Sequence, residues 1–286
     1  MSSPTPPVIQ PIVKSYRYLR LAMVLLVVML GVSVGLEWWA TGRRCFQDSI
    51  SAYYFTPVQG VFVGTLTAIG ICMVVIKGNT EWEDILLNLG GMLLPVVALV
   101  PEPEQGQCRS VPQLLQDVPA KVANNVGALL VTGVLALVLV VTIVLRSSSA
   151  TERSRAHVIG TAVAAVTLLA GILWFVLGRH SFINGAHYVA AVGMFGCIVV
   201  VVVLNARGFR LAQQHATTPR TRRQFVNRYA VIAVLMVLST VGMALYALVF
   251  GWEHWLLWVE GTLISLFAAF WLSQTEELWD QGLRNR

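Results

Sequence analysis

Long apolar runs separated by short charged stretches constrain this chain more than any other feature. They occupy Leu19–Glu37, Val58–Ile76, Asp84–Val100, Asn124–Leu145, His157–Leu177, Gly185–Asn205, Tyr229–Phe250 and Trp255–Leu272. Each is close to the ~20 residues that a helix needs to cross the hydrocarbon core of a bilayer. Lipid offers the backbone no hydrogen-bond partner, so runs of this kind must satisfy their own peptide groups as helices. The Val-rich stretch Ile198–Leu204 favours strand by propensity, but that preference loses in a bilayer. Composition points the same way. Charged residues are only 12% of the chain and hydrophobic residues 56%, where a soluble domain carries roughly 25% charge. The expected fold is all-α: a polytopic bundle of about eight spans. Residues 19–274 form a single membrane domain, with a Pro-rich, basic tail over 1–18 and a short C-terminal tail over 275–286. The first apolar run is long and has no convincing small-x-small cleavage site, and it reads as a signal anchor.

The net charge of +6 does not imply nucleic acid, because the basic residues follow membrane topology. With the N-terminus inside, the outer segments hold only Arg43, Arg44, Arg109, Lys121 and Arg179, leaving 15 of the 20 Lys and Arg on the inner side. This is the positive-inside pattern. It predicts both termini in the cytoplasm; the expected location is the plasma membrane, and the Ala, Val and Arg richness suggests a GC-rich bacterium. The dense basic block Arg207–Arg228 suits topogenic charge or contact with anionic inner-leaflet lipid. Trp38, Trp39, Trp252 and Trp255 fall at predicted outer ends, as interfacial indoles do.

Two outer loops have substantial length, Trp38–Gln59 and Pro101–Ala123. Each contains one cysteine, and an oxidising exterior would join Cys45 to Cys108. Cys72 and Cys197 lie inside spans and read as small hydrophobes. Small residues at helical spacing, Gly31 with Gly35 and the series Ala186, Ala190, Gly193 and Cys197, read as helix-packing faces.

Ionisable groups inside a bilayer are costly and mark function more often than other polar residues do. Glu260 lies within the last run, in WLLWVEGTLISLFAAFWL, with Glu253 and His254 before it. His187 heads the sixth run, with Asn184 three residues back and His180 in the short connection before. Glu37 ends the first run. The first outer loop adds Asp48, Ser49, Ser51, Tyr53 and Tyr54 in DSISAYY. All of these share one depth, the outer third of the membrane.

Several chemistries fit that set. A hydrolase would use Ser49 or Ser51 as nucleophile, His187 as base and Glu260 or Asp48 to orient it. A metal site would draw on His180, His187, His254 and Glu260, although no tight ligand spacing exists and no cofactor is expected. A proton or solute path would run through Glu260 and His187. A binding pocket for a lipid headgroup or small ligand would use Glu37, Asp48, Ser51, Tyr53, Tyr54, Asn184, His187 and Glu260 for recognition. A purely structural network would use the same groups to lock helices together. Membrane lipids are the expected partners.

The segment CFQDSISAYYFTPVQGVFVGTLTAIGICMVVIKG, followed by EDILLNLGGMLLPVVALVP, resembles an uncharacterised family of bacterial multi-pass membrane proteins with a SISxYY loop. More remotely, the layout is similar to the DRAM/Frag group of eukaryotic membrane proteins. The resemblance places Ser49, Ser51, Tyr53, Tyr54, Asp84, Asn88, His187 and Glu260 on motif positions and implies no activity. Membrane hydrolases of the ceramidase type carry a paired HxxxH, which this chain lacks.

Overall fold

A computed structural model describes residues 9–43, 46–102, 117–146, 155–214 and 227–284. These form eight α-helices: α1 (Ile9–Ala40), α2 (Gln59–Val75), α3 (Glu81–Leu99), α4 (Val118–Arg146), α5 (Arg155–Leu177), α6 (Arg179–Gln214), α7 (Arg228–Phe250) and α8 (Trp255–Glu277). One turn of 3₁₀ helix, Ser51–Phe55, sits between α1 and α2. Seven of the helices are long and apolar enough to cross a membrane, and α2 is apolar but shorter. By length and composition the chain is a multi-pass membrane protein. The expected Cys45–Cys108 pairing lies outside the described residues.

Helix ends follow local sequence. Thr80 caps α3 by accepting the Glu83 N–H at 3.2 Å, and Glu81, Glu83 and Asp84 place negative charge on its positive end. Asn227 caps α7 through the Ala230 N–H. Gly251 closes α7 in the left-handed region at φ 67°, a conformation that glycine adopts without penalty. Several helices overrun their apolar cores. α6 extends past Asn205 to Gln214 and starts at Arg179, so His180 is helical rather than in a loop.

Helix neighbours define a ring. α1 packs on α2, α2 on α3, α3 on α6, α6 on α8 and α8 on α1. α7 lies outside against α6 and α8, and the α4–α5 pair lies outside against α3. The periphery is correspondingly bare: α5 has no fully buried residue and α4 has only Val122 and Val126. Lipid-facing positions such as Leu139, Val166 and Leu177 are 62%, 67% and 81% exposed, as expected where hydrocarbon is the solvent.

α2 and α3 approach each other closely at a pair of glycines. A Cβ added at Gly70 would stand 2.7 Å from the Gly91 carbonyl, and one at Gly91 would stand 2.6 Å from the Gly70 carbonyl. Pro95 lies one turn beyond Gly91 and supplies no N–H to that carbonyl, leaving it free to meet the neighbouring helix. The series Ala186, Ala190 and Cys197 is buried, and Gly193 accommodates Leu93 of α3, so this small face packs as anticipated. Gly31 and Gly35 behave differently. A Cβ added at either would meet nothing within 4 Å, and both face outward.

At the end of the bundle predicted to be cytoplasmic, a buried amide cluster ties α3, α6 and α8. Asn205 Oδ1 accepts from Asn79 Nδ2 and from Gln274 Nε2, each at 3.1 Å. Glu83 Oε2 accepts the Asn79 backbone N–H at 2.9 Å. The segment after α8 folds back across this end. Arg20 donates to the Gly282 carbonyl at 2.6 Å and the Arg284 N–H donates to Asn79 Oδ1 at 2.8 Å.

Candidate functional site

The opposite end of the ring carries the residues that the sequence placed at one depth. The loop after α1 turns inward and is held by its own serine. Ser49 Oγ accepts the Ala52 N–H at 2.9 Å, a local side-chain bond of the type that nucleates turns. The Asp48 carbonyl accepts the Leu257 N–H at 3.0 Å, which anchors the loop to the first turn of α8. Ser49 and Ser51 are therefore buried.

Ser51 joins two helices. Its Oγ lies 2.9 Å from His187 Nε2 on α6 and 3.3 Å from Glu260 Oε1 on α8. His187 Nδ1 lies 2.7 Å from the Val100 carbonyl just past the end of α3. Carbonyls at a helix C-terminus lack intrahelical donors, and this one is satisfied by the imidazole. A carbonyl can only accept, so Nδ1 carries hydrogen and donates. Nε2 of the neutral ring is then an acceptor, and Ser51 donates its hydroxyl hydrogen to it. The contact between Ser51 and Glu260 needs a second hydrogen. Either Glu260 is protonated and donates to Ser51, or His187 is an imidazolium and Ser51 donates to a carboxylate. Glu260 Oε2 accepts two consecutive backbone N–H groups, Ile50 at 2.7 Å and Ser51 at 3.3 Å, an anion-holding arrangement.

A second acid completes this layer. Glu102 accepts from Ser49 Oγ and, through its other oxygen, from Tyr188 Oη at 3.0 Å. It is 6% exposed. Among the described residues, neither Glu260 nor Glu102 lies within 4.0 Å of a basic nitrogen in an ion pair.

Beneath Ser51 and Glu260 the ring lines a partly open cavity of about 60 Å³. Its walls come from α1 (Val27, Leu30), α2 (Phe62, Leu66, Ile69), α3 (Leu94, Val97), α6 (Ala191, Met194, Phe195) and α8 (Ile264, Phe267). Ser51 and Glu260 are the polar side chains in that lining.

The remaining sequence candidates separate from this centre. Asp48 sits at the rim, 3.3 Å from His254 Nδ1. Glu37 is half-buried on α1 and is not part of the cavity wall. Tyr53 and Tyr54 are buried at 2% and 3% exposure and wall the loop rather than the cavity. Burial pushes both phenols above their ordinary range. For Tyr53, a backbone bond from Gln47 opposes this and the charge of Glu37 adds to it. For Tyr54, a bond to Gln59 opposes it. Asn184 is exposed and pairs with His180 at 3.3 Å, one turn away from the face that carries His187. Glu253 is exposed in the turn before α8. The possible metal ligands His180, His187, His254 and Glu260 do not assemble. Among the described residues, no three His, Cys, Asp or Glu side chains form a metal-holding group.

Three participants were not legible as site residues. Glu102 had a weak signal, an acid directly after the third apolar run in VPEPE. The Val100 carbonyl and the Ile50 N–H are backbone groups, which residue types do not announce. Compared with protein-family profiles, with characterised proteins and with solved structures, the chain finds no match in any of the three.

Proposed function

We propose that this protein is a membrane-embedded receptacle for an amphiphile, taking the apolar part of its ligand into the ring cavity and the polar part at Ser51 and Glu260. The observation that carries this reading is the lining: aliphatic and aromatic side chains from five helices, with polar side chains at one end only. Apolar pockets with a few convergent polar groups are the usual form of small-ligand sites. The topology that goes with it is the one expected from the charges, with both termini inside, eight spans counting α2, and the Ser51 end facing out of a bacterial plasma membrane.

The test is saturable binding of a fluorescent single-chain amphiphile to the full chain in neutral-lipid nanodiscs. The parent protein should bind one equivalent, and Ala191→Trp, which fills the cavity, should weaken binding about tenfold or more. Binding that is non-saturable, or indifferent to Ala191→Trp, overturns the reading.

A second reading is favoured by one specific contact. Ser51 Oγ and His187 Nε2 at 2.9 Å, with Nδ1 fixed by the Val100 carbonyl, have the nucleophile–base–orienter order of a serine hydrolase. Against it, the two N–H groups beside Ser51 that would best hold an oxyanion are occupied by Glu260. Ser51→Ala separates the readings: a hydrolase loses turnover of a lipid ester altogether, whereas a receptacle keeps its ligand with reduced affinity.

A further inference from the structure

Among the described residues, the cavity wall has a single ionisable side chain, the acid Glu260, and it makes no ion pair. Glu260 receives hydrogen bonds from the Ile50 N–H and the Ser51 N–H, both neutral donors, and its other oxygen lies 3.3 Å from Ser51 Oγ. A carboxylate in an apolar interior must be neutralised by a proton or by an opposite charge. Among the described residues, the basic side chains that make ion pairs make them elsewhere: Arg17, Lys77, Arg228 and Arg284 with acids on α3, α8 or the segment after α8, and His254 with Asp48 at the rim.

Among the described residues, the groups packed around Glu260 offer no fixed positive charge. From the segment after α3 comes Glu102, a second acid that accepts from two hydroxyl groups. From α6 comes His187, reached through the Ser51 hydroxyl. The portions of α1 and α2 that wall the cavity contribute Val27, Leu30, Phe62, Leu66 and Ile69, and carry no ionisable group into it. The local field therefore favours a cation at the polar end.

Below that end the wall is hydrocarbon. From Glu260 to Phe267 along α8 is seven residues, roughly 10 Å of depth at a helical rise. The cavity provides no second polar contact from a side chain at its far end. One head and one apolar body are the shape it accepts.

We propose that the ligand is a single-chain lipophilic ammonium compound, its positive head at Glu260 and its alkyl portion against Leu66, Met194 and Phe267. This rests on the receptacle reading above and names the chemical class that the site takes. A fatty acid would bring a further acid beside Glu260 and Glu102. A neutral alcohol could accept or donate a hydrogen bond at Ser51 but would give an ionised Glu260 no counter-charge.

The experiment compares decyltrimethylammonium, decanol and decanoate as competitors of a fluorescent amphiphile bound to the full chain in phosphatidylcholine nanodiscs. At neutral pH the ammonium compound should compete about tenfold more tightly than the alcohol, with decanoate weakest. Glu260→Gln, which keeps an oxygen for the Ile50 and Ser51 N–H groups, should erase the ammonium advantage. A second measurement needs no variant. Acidifying the parent protein until Glu260 is protonated should weaken the ammonium compound and leave decanol unchanged. Protonation of His187 acts in the same direction, since it adds positive charge nearby. If the alcohol matches the ammonium compound at neutral pH, or if the ammonium advantage survives both Glu260→Gln and acidification, the cation assignment is overturned and the receptacle stands. If none of the three competes and Ala191→Trp changes nothing, the receptacle reading falls with it.

Discussion

His187 Nε2 lies 2.9 Å from Ser51 Oγ, across 136 positions of sequence. The contact joins the loop after α1 to α6, and Ser51 passes the connection on to Glu260 of α8. Three chain segments distant in sequence thus meet through one hydroxyl group. Ser51→Ala should leave His187 Nε2 without its donor inside the bundle. The expected cost is about 1–3 kcal/mol, the penalty for an unsatisfied buried group. Thermal unfolding in detergent checks it, and an unchanged midpoint would mean that the contact contributes nothing to stability.

His187→Phe should cost more than Ser51→Ala. It orphans the Val100 carbonyl at 2.7 Å and removes the bond to Ser51, whose hydroxyl keeps Glu260 as a neighbour. A ring of similar size preserves packing, so the excess reports the two lost bonds, about 2–4 kcal/mol in total. The double variant Ser51→Ala, His187→Phe should be less destabilised than the sum of the single variants, because the shared bond is lost only once. Strict additivity would show that the two residues do not interact.

The glycine pair between α2 and α3 predicts a steric effect with an internal control. Gly91→Ala must place its Cβ 2.6 Å from the Gly70 carbonyl, so the helices must separate. Overpacking of this kind costs about 1–3 kcal/mol. Gly31→Ala has open space around it and should change stability by no more than about 0.5 kcal/mol. Equal effects of the two substitutions would contradict the packing described for α2 and α3.

How far the sequence anticipated these features depends on the kind of group involved. The helices were legible because lipid leaves the backbone no alternative, and Ser51, His187 and Glu260 were legible because polar residues at one depth are conspicuous among Val and Leu. Depth alone did not say which of them meet. Asn184 and His187 lie three residues apart, yet Asn184 turns to His180 on the exposed side. Gly31 and Gly35 carry the spacing of a packing face and face outward, while Gly70 and Gly91, in different runs, make the close contact. The Val100 carbonyl has no sequence signature, because any residue at that position would present one. The polar cluster of Asn79, Glu83, Asn205 and Gln274 was hidden for a related reason. Its members come from the turn before α3 and the first turn of that helix, from within α6 and from the last turns of α8, and become a group only when the bundle closes.

That cluster can be probed through its central acceptor. Asn205 Oδ1 serves two donors, Asn79 and Gln274. Asn205→Leu should remove both hydrogen bonds and cost about 2–4 kcal/mol, whereas Gln274→Leu removes one of them and should cost less. A larger effect from Gln274→Leu would place the centre of the network elsewhere.

The loop tyrosines give a pH prediction outside the spans. Burial raises the Tyr53 and Tyr54 phenols above the ordinary value of 10.0. The stability they contribute is fully present below that value. It is lost as pH rises through the raised folded values, since the unfolded chain ionises first. Alkaline unfolding should therefore steepen above about pH 10, and Tyr53→Phe should reduce the effect. Ultraviolet titration that finds every tyrosine ionising together at the ordinary value would contradict the burial of this pair.

The most direct test of the cavity as a ligand site is photolabelling with a single-chain ammonium amphiphile that carries a diazirine at the end of its tail. Peptide mapping after irradiation in nanodiscs should place the label on cavity residues, Leu66 and Ile69 of α2 or Phe267 of α8, and excess unlabelled amphiphile should suppress it. Label spread over the lipid-facing surfaces of α4 and α5, and not suppressed by competitor, would show that the compound dissolves in the surrounding bilayer and that the cavity takes no ligand of this class.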